Sequence, residues 1–150
     1  KTGGDSKFLT YVIDEDDQDY KRLLRGENIS SYSYEFVGEY VHYLPQQMRK
    51  HRRTARPGTK AKFEQPKVLV RDTGEGLRGT FEDENYYVKD VLVIADKEKN
   101  PARLKYLTGL INSTLLRFYY ETSFPTLHVQ RNELASLPIR TIDFDNPADV

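Results

Sequence analysis

The stretch LKYLTGLINSTLLRFYY, residues 104–120, is the longest uninterrupted amphipathic segment of the chain. Asn100 is placed to cap a helix here, and Pro101 is tolerated in a first helical turn. Gly109 costs a helix about 1 kcal/mol relative to alanine, which indicates close packing against a strand. At helical spacing the apolar face consists of Leu104, Leu107, Thr108, Ile111, Leu115, Phe118 and Tyr119. The stretch therefore predicts one long helix that packs on a sheet.

The segments on either side of this helix are shorter. Residues 67–72 (KVLVRD) have the composition of a strand, and residues 77–81 are placed to pair back on them. One or two helical turns are expected at residues 131–137. Further strands are predicted at residues 8–14, 32–44, 86–95 and 127–129. Because strands and helices do not strictly alternate, we predict an α+β domain with an antiparallel or mixed β-sheet, packed by the long helix and short helices.

The composition is that of a polar but foldable chain. With 150 residues, of which 37% are hydrophobic, it has the size of a single domain, which we assign to residues 1–150 with a loosely held tail at 141–150. The 23 basic and 23 acidic residues cancel, so overall charge does not indicate a nucleic-acid partner. The absence of cysteine and of long apolar runs predicts a cytoplasmic location, no disulfides and no membrane contact. A start at Lys1 suggests a piece of a larger protein.

Several patterns resemble enzyme motifs but lack the context that those motifs need. Residues 74–79 match G-x-G-x-x-G, yet a strand rather than a helix follows, so we interpret them as a glycine-rich hairpin. The acidic runs at residues 14–17 and 82–84 are expected in solvated loops, although a divalent ion between them would indicate a nuclease. The histidines are far apart, and His128 is expected to be partly buried. We predict no catalytic residues and no metal site.

A basic segment is the most informative charge pattern in the chain. It is free of acidic residues between Glu39 and Glu64 and contains Arg49, Lys50, Arg52, Arg53, Arg56, Lys60 and Lys62. Such a cluster in a neutral chain is typical of contacts to the phosphate backbone of DNA, with an ordinary surface loop as the alternative. The predicted hairpin carries the residues placed to contact base edges, which are Arg71, Asp72, Thr73 and Arg78.

Short segments follow one another along the chain in a characteristic order. They are residues 1–3 (KTG) with 7–8 (KF), 23–29 (LLRGENI), 66–71 (PKVLVR), 83–87 (DENYY), 107–116 (LTGLINSTLL), 132–134 (NEL) and 137–139 (LPI). In this order and spacing the chain resembles the TaqI-like C-terminal specificity domain. That family is the target-recognition domain of N6-adenine DNA methyltransferases and of fused type IIG restriction–modification enzymes.

The resemblance implies an α+β domain that reads double-stranded DNA beside a methyltransferase catalytic domain in the same protein. That catalytic domain would bind S-adenosylmethionine and carry an Asn-Pro-Pro-Tyr motif. Residues 100–102 (NPA) are only a fragment of the motif, so the chain itself is expected to hold no cofactor and to be catalytically silent. The alternative function is a protein-interaction domain that docks through its helix and its tyrosine-rich strands.

Overall fold

The computed structural model describes residues 6–74, 76–124, 126–144, 146 and 148, so residues 1–3 of the resemblance and part of the predicted tail lie outside it. The strands are β1 (Leu9–Thr10), β2 (Tyr20–Arg25), β3 (Ile29–Ser30), β4 (Ser33–Tyr34), β5 (Tyr40–His42), β6 (Lys67–Arg71), β7 (Gly79–Glu82), β8 (Tyr87–Lys89) and β9 (Val91–Ile94). The helices are α1 (Pro45–His51), α2 (Lys60–Phe63), α3 (Pro101–Ile111), α4 (Thr114–Ser123) and α5 (Arg131–Ala135). In the described part of the chain, no helix is long and apolar enough to cross a membrane.

The strands form mixed sheets, which confirms the predicted α+β class. One sheet has the order β1-β5-β2-β8, in which β2 and β8 are parallel and the other pairs antiparallel. A second, antiparallel sheet has the order β7-β6-β9, and β3 pairs with β4. The central strand β6 is covered on both faces, because Val68 and Val70 contact one apolar cluster and Leu69 contacts another.

The predicted hairpin at residues 67–81 is confirmed, with Val68 opposite Phe81 and Val70 opposite Gly79. Two longer strand predictions are wrong because the backbone turns within them. Residues 86–95 form β8 and β9 in different sheets, separated by Asp90 at a φ of 56°. Residues 32–44 form β4 and β5, with Gly38 at a φ of 82° between them. The predicted strand at residues 8–14 ends at Thr10.

The single long helix is also wrong, because α3 and α4 are separate helices. The predicted start is confirmed: the side chain of Asn100 accepts hydrogen bonds from the backbone N–H groups of Ala102 and Arg103. Ser113 then begins a new helix, since its Oγ accepts from the Leu116 N–H and donates to the Leu110 carbonyl oxygen. A capping serine satisfies donors that a continuous helix would bond internally.

This break changes which side chains face the core. Ile111 and Leu116 are buried, whereas Leu115 is 78% exposed. Phe118 and Tyr119, which we predicted to pack with Leu115, are exposed as well. Gly109 has open space beside it, so the predicted close packing at that residue is wrong. The close approach of helix and sheet occurs instead at Gly79, where an added Cβ would lie 3.1 Å from Ile111 Cγ2.

A buried ion pair lies at the start of β6. Lys67 Nζ contacts the carboxylate of Glu82, and both side chains are fully buried. Lys67 Nζ also donates to the Phe63 carbonyl oxygen at 2.6 Å, while Glu82 Oε1 accepts from the N–H groups of Glu84 and Tyr86. Burial lowers the pKa of Lys67, and Glu82 opposes this shift. The expectation that residues 82–84 form a solvated acidic run is therefore wrong for Glu82.

Candidate nucleic-acid interface

The end of the β6–β7 hairpin is built together with the segment that follows α4. Thr73 and His128 form an isolated antiparallel bridge. It is flanked by two backbone hydrogen bonds, from Gly74 N to the Leu127 oxygen at 3.2 Å and from Val129 N to the Asp72 oxygen at 2.8 Å. We call residues 72–74 and 127–129 the loop platform. The strand predicted at residues 127–129 is present only as this single bridge.

Short hydrogen bonds hold the loop at the hairpin end. Arg71 Nε donates to the Thr73 carbonyl oxygen at 2.6 Å, and Thr73 Oγ1 donates to Asp72 Oδ1 at 2.8 Å. Gly74 and Gly76 have φ values of 120° and 68°, which favour glycine. A Cβ at Gly74 would lie 3.4 Å from Arg71 Nε, so the guanidinium packs directly against the loop backbone. The glycine pattern therefore forms a hairpin loop, as predicted.

A third segment adjoins the hairpin on the side of Arg78. The backbone N–H of Tyr32 donates to the Gly79 oxygen at 3.0 Å, while the Arg78 carbonyl accepts from the Arg71 N–H at the same distance. Tyr32 has a φ of 65° and its side chain is 63% exposed. Sequence reasoning missed Tyr32, because tyrosine carries no signal for the left-handed conformation. The edge of the hairpin thus carries an exposed tyrosine, whose backbone bonds the residue that follows the half-buried Arg78.

The seven predicted phosphate-contacting residues are all exposed, on α1, on α2 and on the link between these helices. Aromatic contacts hold this basic segment on the protein. Phe63 is buried and its ring centroid lies 4.6 Å from that of Tyr87. The Tyr43 hydroxyl donates to the carbonyl oxygen of Gly58. Since these anchors point inward, the arginine and lysine side chains of the segment are left on the outside.

A cleft of about 380 Å³ lies between the basic segment and the sheet that contains β2 and β8. Its floor is apolar and includes Leu23, Val41 and Tyr87, and its cationic lining consists of Arg52, Arg56, Lys62 and Lys89. The cleft extends to Val91, which pairs with Arg71 across the β6–β9 ladder. It therefore connects the basic segment with the strand that leads into the hairpin loop. Lys89 lies outside the basic run, which is why sequence reasoning missed it.

The turn after β2 packs against the residues at which the hairpin loop begins. An added Cβ at Gly26 would lie 2.9 Å from the Asp90 oxygen and 3.7 Å from Asp72 Oδ1, so only glycine fits without displacement. The neighbouring Arg25 is neutralised by the buried Glu39, with Arg25 Nε donating to Glu39 Oε2 at 2.6 Å. This hydrogen bond raises the pKa of Arg25. This turn therefore has no room for a side chain at residue 26, and the charge of Arg25 is paired with that of Glu39.

The profile of the TaqI-like C-terminal specificity domain matches residues 21–139, which is most of the chain. The chain belongs to this family. TaqI-like specificity domains bind DNA and serve target recognition in restriction–modification enzymes. The matched region of this specificity domain includes the basic segment, the hairpin and the loop platform. No curated protein matches the chain.

The specificity domain brings the four predicted base-reading residues together at one end of the β6–β7 hairpin. Asp72 and Thr73 lie in the loop platform, and Arg71 braces the loop through Thr73. Arg78 lies on the opposite arm of the hairpin, next to Gly79. His128 joins this group and is exposed, so the expectation that it is partly buried is wrong. No local signal marks His128, because its partner Thr73 lies 55 positions earlier.

One group of three possible metal ligands occurs among the described residues of the specificity domain: Asp17, Asp19 and His42. His42 Nε2 lies 3.1 Å from Asp17 Oδ2, and its ring stacks on Tyr20 at a centroid distance of 4.3 Å. Asp17 also accepts a hydrogen bond from the Asp19 N–H. The group contains no residue from 82–84, so it is not the divalent-ion site between the two acidic runs that would indicate a nuclease.

Proposed function

We propose that this chain recognises a specific sequence in double-stranded DNA on behalf of an adenine-specific methyltransferase or restriction–modification enzyme. The observation that carries the proposal is the family match, because the matched region contains a braced hairpin loop with polar side chains and an exposed basic segment. In this proposal the chain is non-catalytic, and a catalytic domain in the same protein binds S-adenosylmethionine.

The two parts of the surface have different tasks in this proposal. Contacts to phosphates position a protein on the duplex, and contacts to base edges specify the sequence. The basic segment suits the first task, since its long cationic side chains are exposed on short helices. The hairpin loop suits the second, since Asp72, Thr73 and Arg78 are held on a hydrogen-bonded backbone that does not have to be ordered on binding.

A titration of duplex DNA with the full chain at several salt concentrations tests the proposal. We expect the logarithm of the binding constant to fall linearly with the logarithm of the salt concentration, because cations that neutralise phosphates release counterions. The double variant Lys50→Gln/Lys60→Gln removes two exposed cations of the basic segment. If each contacts one phosphate, the slope decreases in magnitude by about 1.8.

The matched control is Lys97→Gln/Lys99→Gln, which removes the same charge from two exposed lysines in the link between β9 and α3. Its slope should equal that of the wild type, because only the location of the lost charge differs. Failure of the wild-type chain to bind any duplex at low salt would count against DNA recognition. Equal slopes for both double variants would remove the basic segment from the interface.

A docking face for another protein domain is the second candidate, and the outward side of α4 favours it. Leu115 and Phe118 are 78% and 65% exposed, and Tyr119 lies beside them. Exposed apolar side chains that adjoin one another mark interaction sites. We propose that this face contacts the catalytic domain of the same protein. In that case Leu115→Ser/Phe118→Ser should weaken methylation by the full-length enzyme and leave DNA binding by this chain unchanged.

A further inference from the structure

We propose that His128 reads an amino-bearing base, adenine or cytosine, in the major groove. The inference deepens the proposed DNA recognition and rests on it. It adds to the hairpin a residue from a distant part of the chain, and it assigns the chemical group that this residue recognises.

The backbone places the His128 side chain beside that of Thr73. The bridge between these residues is flanked by the hydrogen bonds from Gly74 to Leu127 and from Val129 to Asp72, which is the arrangement of a non-hydrogen-bonded antiparallel pair. In such pairs the two side chains emerge on the same face and lie close together. Both side chains are exposed, so they form one small polar surface at the hairpin end.

For a neutral His128 ring, the hydrogen-bond pattern assigns the hydrogen to one of the two nitrogens. Thr73 Oγ1 uses its one hydrogen to donate to Asp72 Oδ1 at 2.8 Å. Toward His128 Nδ1, which lies 3.4 Å away, the same oxygen can only accept. The neutral imidazole therefore carries its hydrogen on Nδ1, and Nε2 is left with a lone pair. The ring offers a hydrogen-bond acceptor on its free side.

The backbone that carries this acceptor is held in place before DNA arrives. Val129 is buried and anchors the end of the segment, and Thr126 Oγ1 donates to the His128 carbonyl oxygen at 2.9 Å. The Thr73 carbonyl is fixed in turn by Arg71 Nε. A preorganised group loses little conformational entropy on binding, so a single hydrogen bond made there contributes more discrimination than one from a free side chain.

An acceptor of this kind selects amino groups. A phosphate oxygen has no hydrogen to donate, so neutral Nε2 gains nothing from the DNA backbone. In the major groove the donors are the N6 amino group of adenine and the N4 amino group of cytosine, whereas guanine and thymine present acceptors. The geometry thus points to a contact with adenine or cytosine.

The first test selects bound sequences from a pool of randomised duplexes with the full wild-type chain and with His128→Ala. We expect the wild type to prefer adenine or cytosine at one position by about fivefold, the value of one hydrogen bond of about 1 kcal/mol. His128→Ala should lose that preference and keep its affinity for the unselected pool within about twofold, since no phosphate contact is removed. An exposed asparagine in α5 provides the control, and Asn132→Ala should retain the preference.

The second test removes the amino group from the base identified in the first. Purine in place of adenine, or 2-pyrimidinone in place of cytosine, should weaken wild-type binding about fivefold and leave His128→Ala unaffected. An unchanged preference in His128→Ala overturns the inference, as does the loss of a preference for guanine or thymine. Uniformly weaker binding of all duplexes by His128→Ala would show a phosphate contact and also overturn it. If the wild type binds no duplex at low salt, the proposed function itself has failed.

Discussion

The side-chain amide of Asn112 hydrogen-bonds both backbone polar groups of Gly79. Nδ2 donates to the Gly79 carbonyl oxygen at 2.7 Å, and Oδ1 accepts from the Gly79 N–H at 3.1 Å. Nδ2 also donates to the carbonyl oxygen of Thr108 at 2.9 Å. The Asn112 amide thus makes hydrogen bonds to Gly79 of the kind that a neighbouring strand would make. These bonds link the end of α3 to the start of β7, next to Arg78.

Asn112→Ala should destabilise the chain by about 2 kcal/mol, because it leaves the buried N–H of Gly79 without a partner, while the Gly79 oxygen keeps its hydrogen bond from Tyr32. Urea unfolding measures the change. Asn132→Ala, at an exposed asparagine in α5, is the matched control and should stay within about 0.5 kcal/mol of the wild type. Equal stabilities of the two variants would show that the contact with Gly79 contributes nothing.

Because α3 and α4 are separate helices, two similar substitutions should have very different effects on the free energy of unfolding. Ile111→Ala should lower the free energy of unfolding by about 2–5 kcal/mol, because Ile111 is fully buried. Leu115→Ala should change it by less than about 0.5 kcal/mol, since Leu115 is 78% exposed. Both values come from urea unfolding. A large loss for Leu115→Ala would instead support one continuous helix with Leu115 in the core.

Arg78→Gln should reduce sequence discrimination and leave folding unchanged. If Arg78 contacts a base edge, the ratio of affinities for the best duplex and a random duplex should fall by a factor that corresponds to about 1–3 kcal/mol of binding free energy. Fluorescence anisotropy titrations of both duplexes measure this ratio. The control is Arg140→Gln, at an exposed arginine in the segment after α5, which should keep the wild-type ratio. An unchanged ratio for Arg78→Gln would remove Arg78 from the base-reading residues.

Lys67→Met should destabilise the chain by about 3–5 kcal/mol, because it leaves the buried carboxylate of Glu82 without a cation. Adding Glu82→Gln should recover much of this loss, since the neutral amide can still accept from the N–H groups of Glu84 and Tyr86. Thermal unfolding of both variants gives the comparison. A double variant that is less stable than Lys67→Met would contradict this explanation.

Alkaline pH should destabilise the wild type more than Tyr120→Phe. Burial, and then the hydrogen bond from Tyr120 to Glu133, raises the pKa of Tyr120 from 10.0 to about 12. The folded state therefore retains a proton that the unfolded state loses, so this stability is complete below pH 10 and is lost as pH rises to 12. The difference amounts to about 2 kcal/mol. Parallel stability curves for the two proteins between pH 9 and about 12 would contradict the shift.

Local patterns were sufficient to predict much of the fold. The strand composition of residues 67–72 and the glycine-rich turn after them correctly predicted the β6–β7 hairpin, because a tight turn brings the chain back along the strand that precedes it. Asn100 and Pro101 correctly predicted the start of α3, since a cap acts within one helical turn. The order of short segments identified the specificity-domain family. The seven basic residues are exposed, while their role in DNA binding stays a prediction.

The sequence by itself determined the family, the α+β class and the hairpin, because these depend on neighbours that are close along the chain. Only the tertiary structure decided where α3 ends and what lies at the hairpin loop. The side chain of Asn112 bonds Gly79 across 33 positions, and His128 lies beside Thr73 across 55. Such contacts form only when distant segments pack together, and then they outweigh the modest helical propensity of residues 112–113. The predicted long helix therefore breaks at residue 112, where the side chain of Asn112 hydrogen-bonds the backbone of the sheet at Gly79.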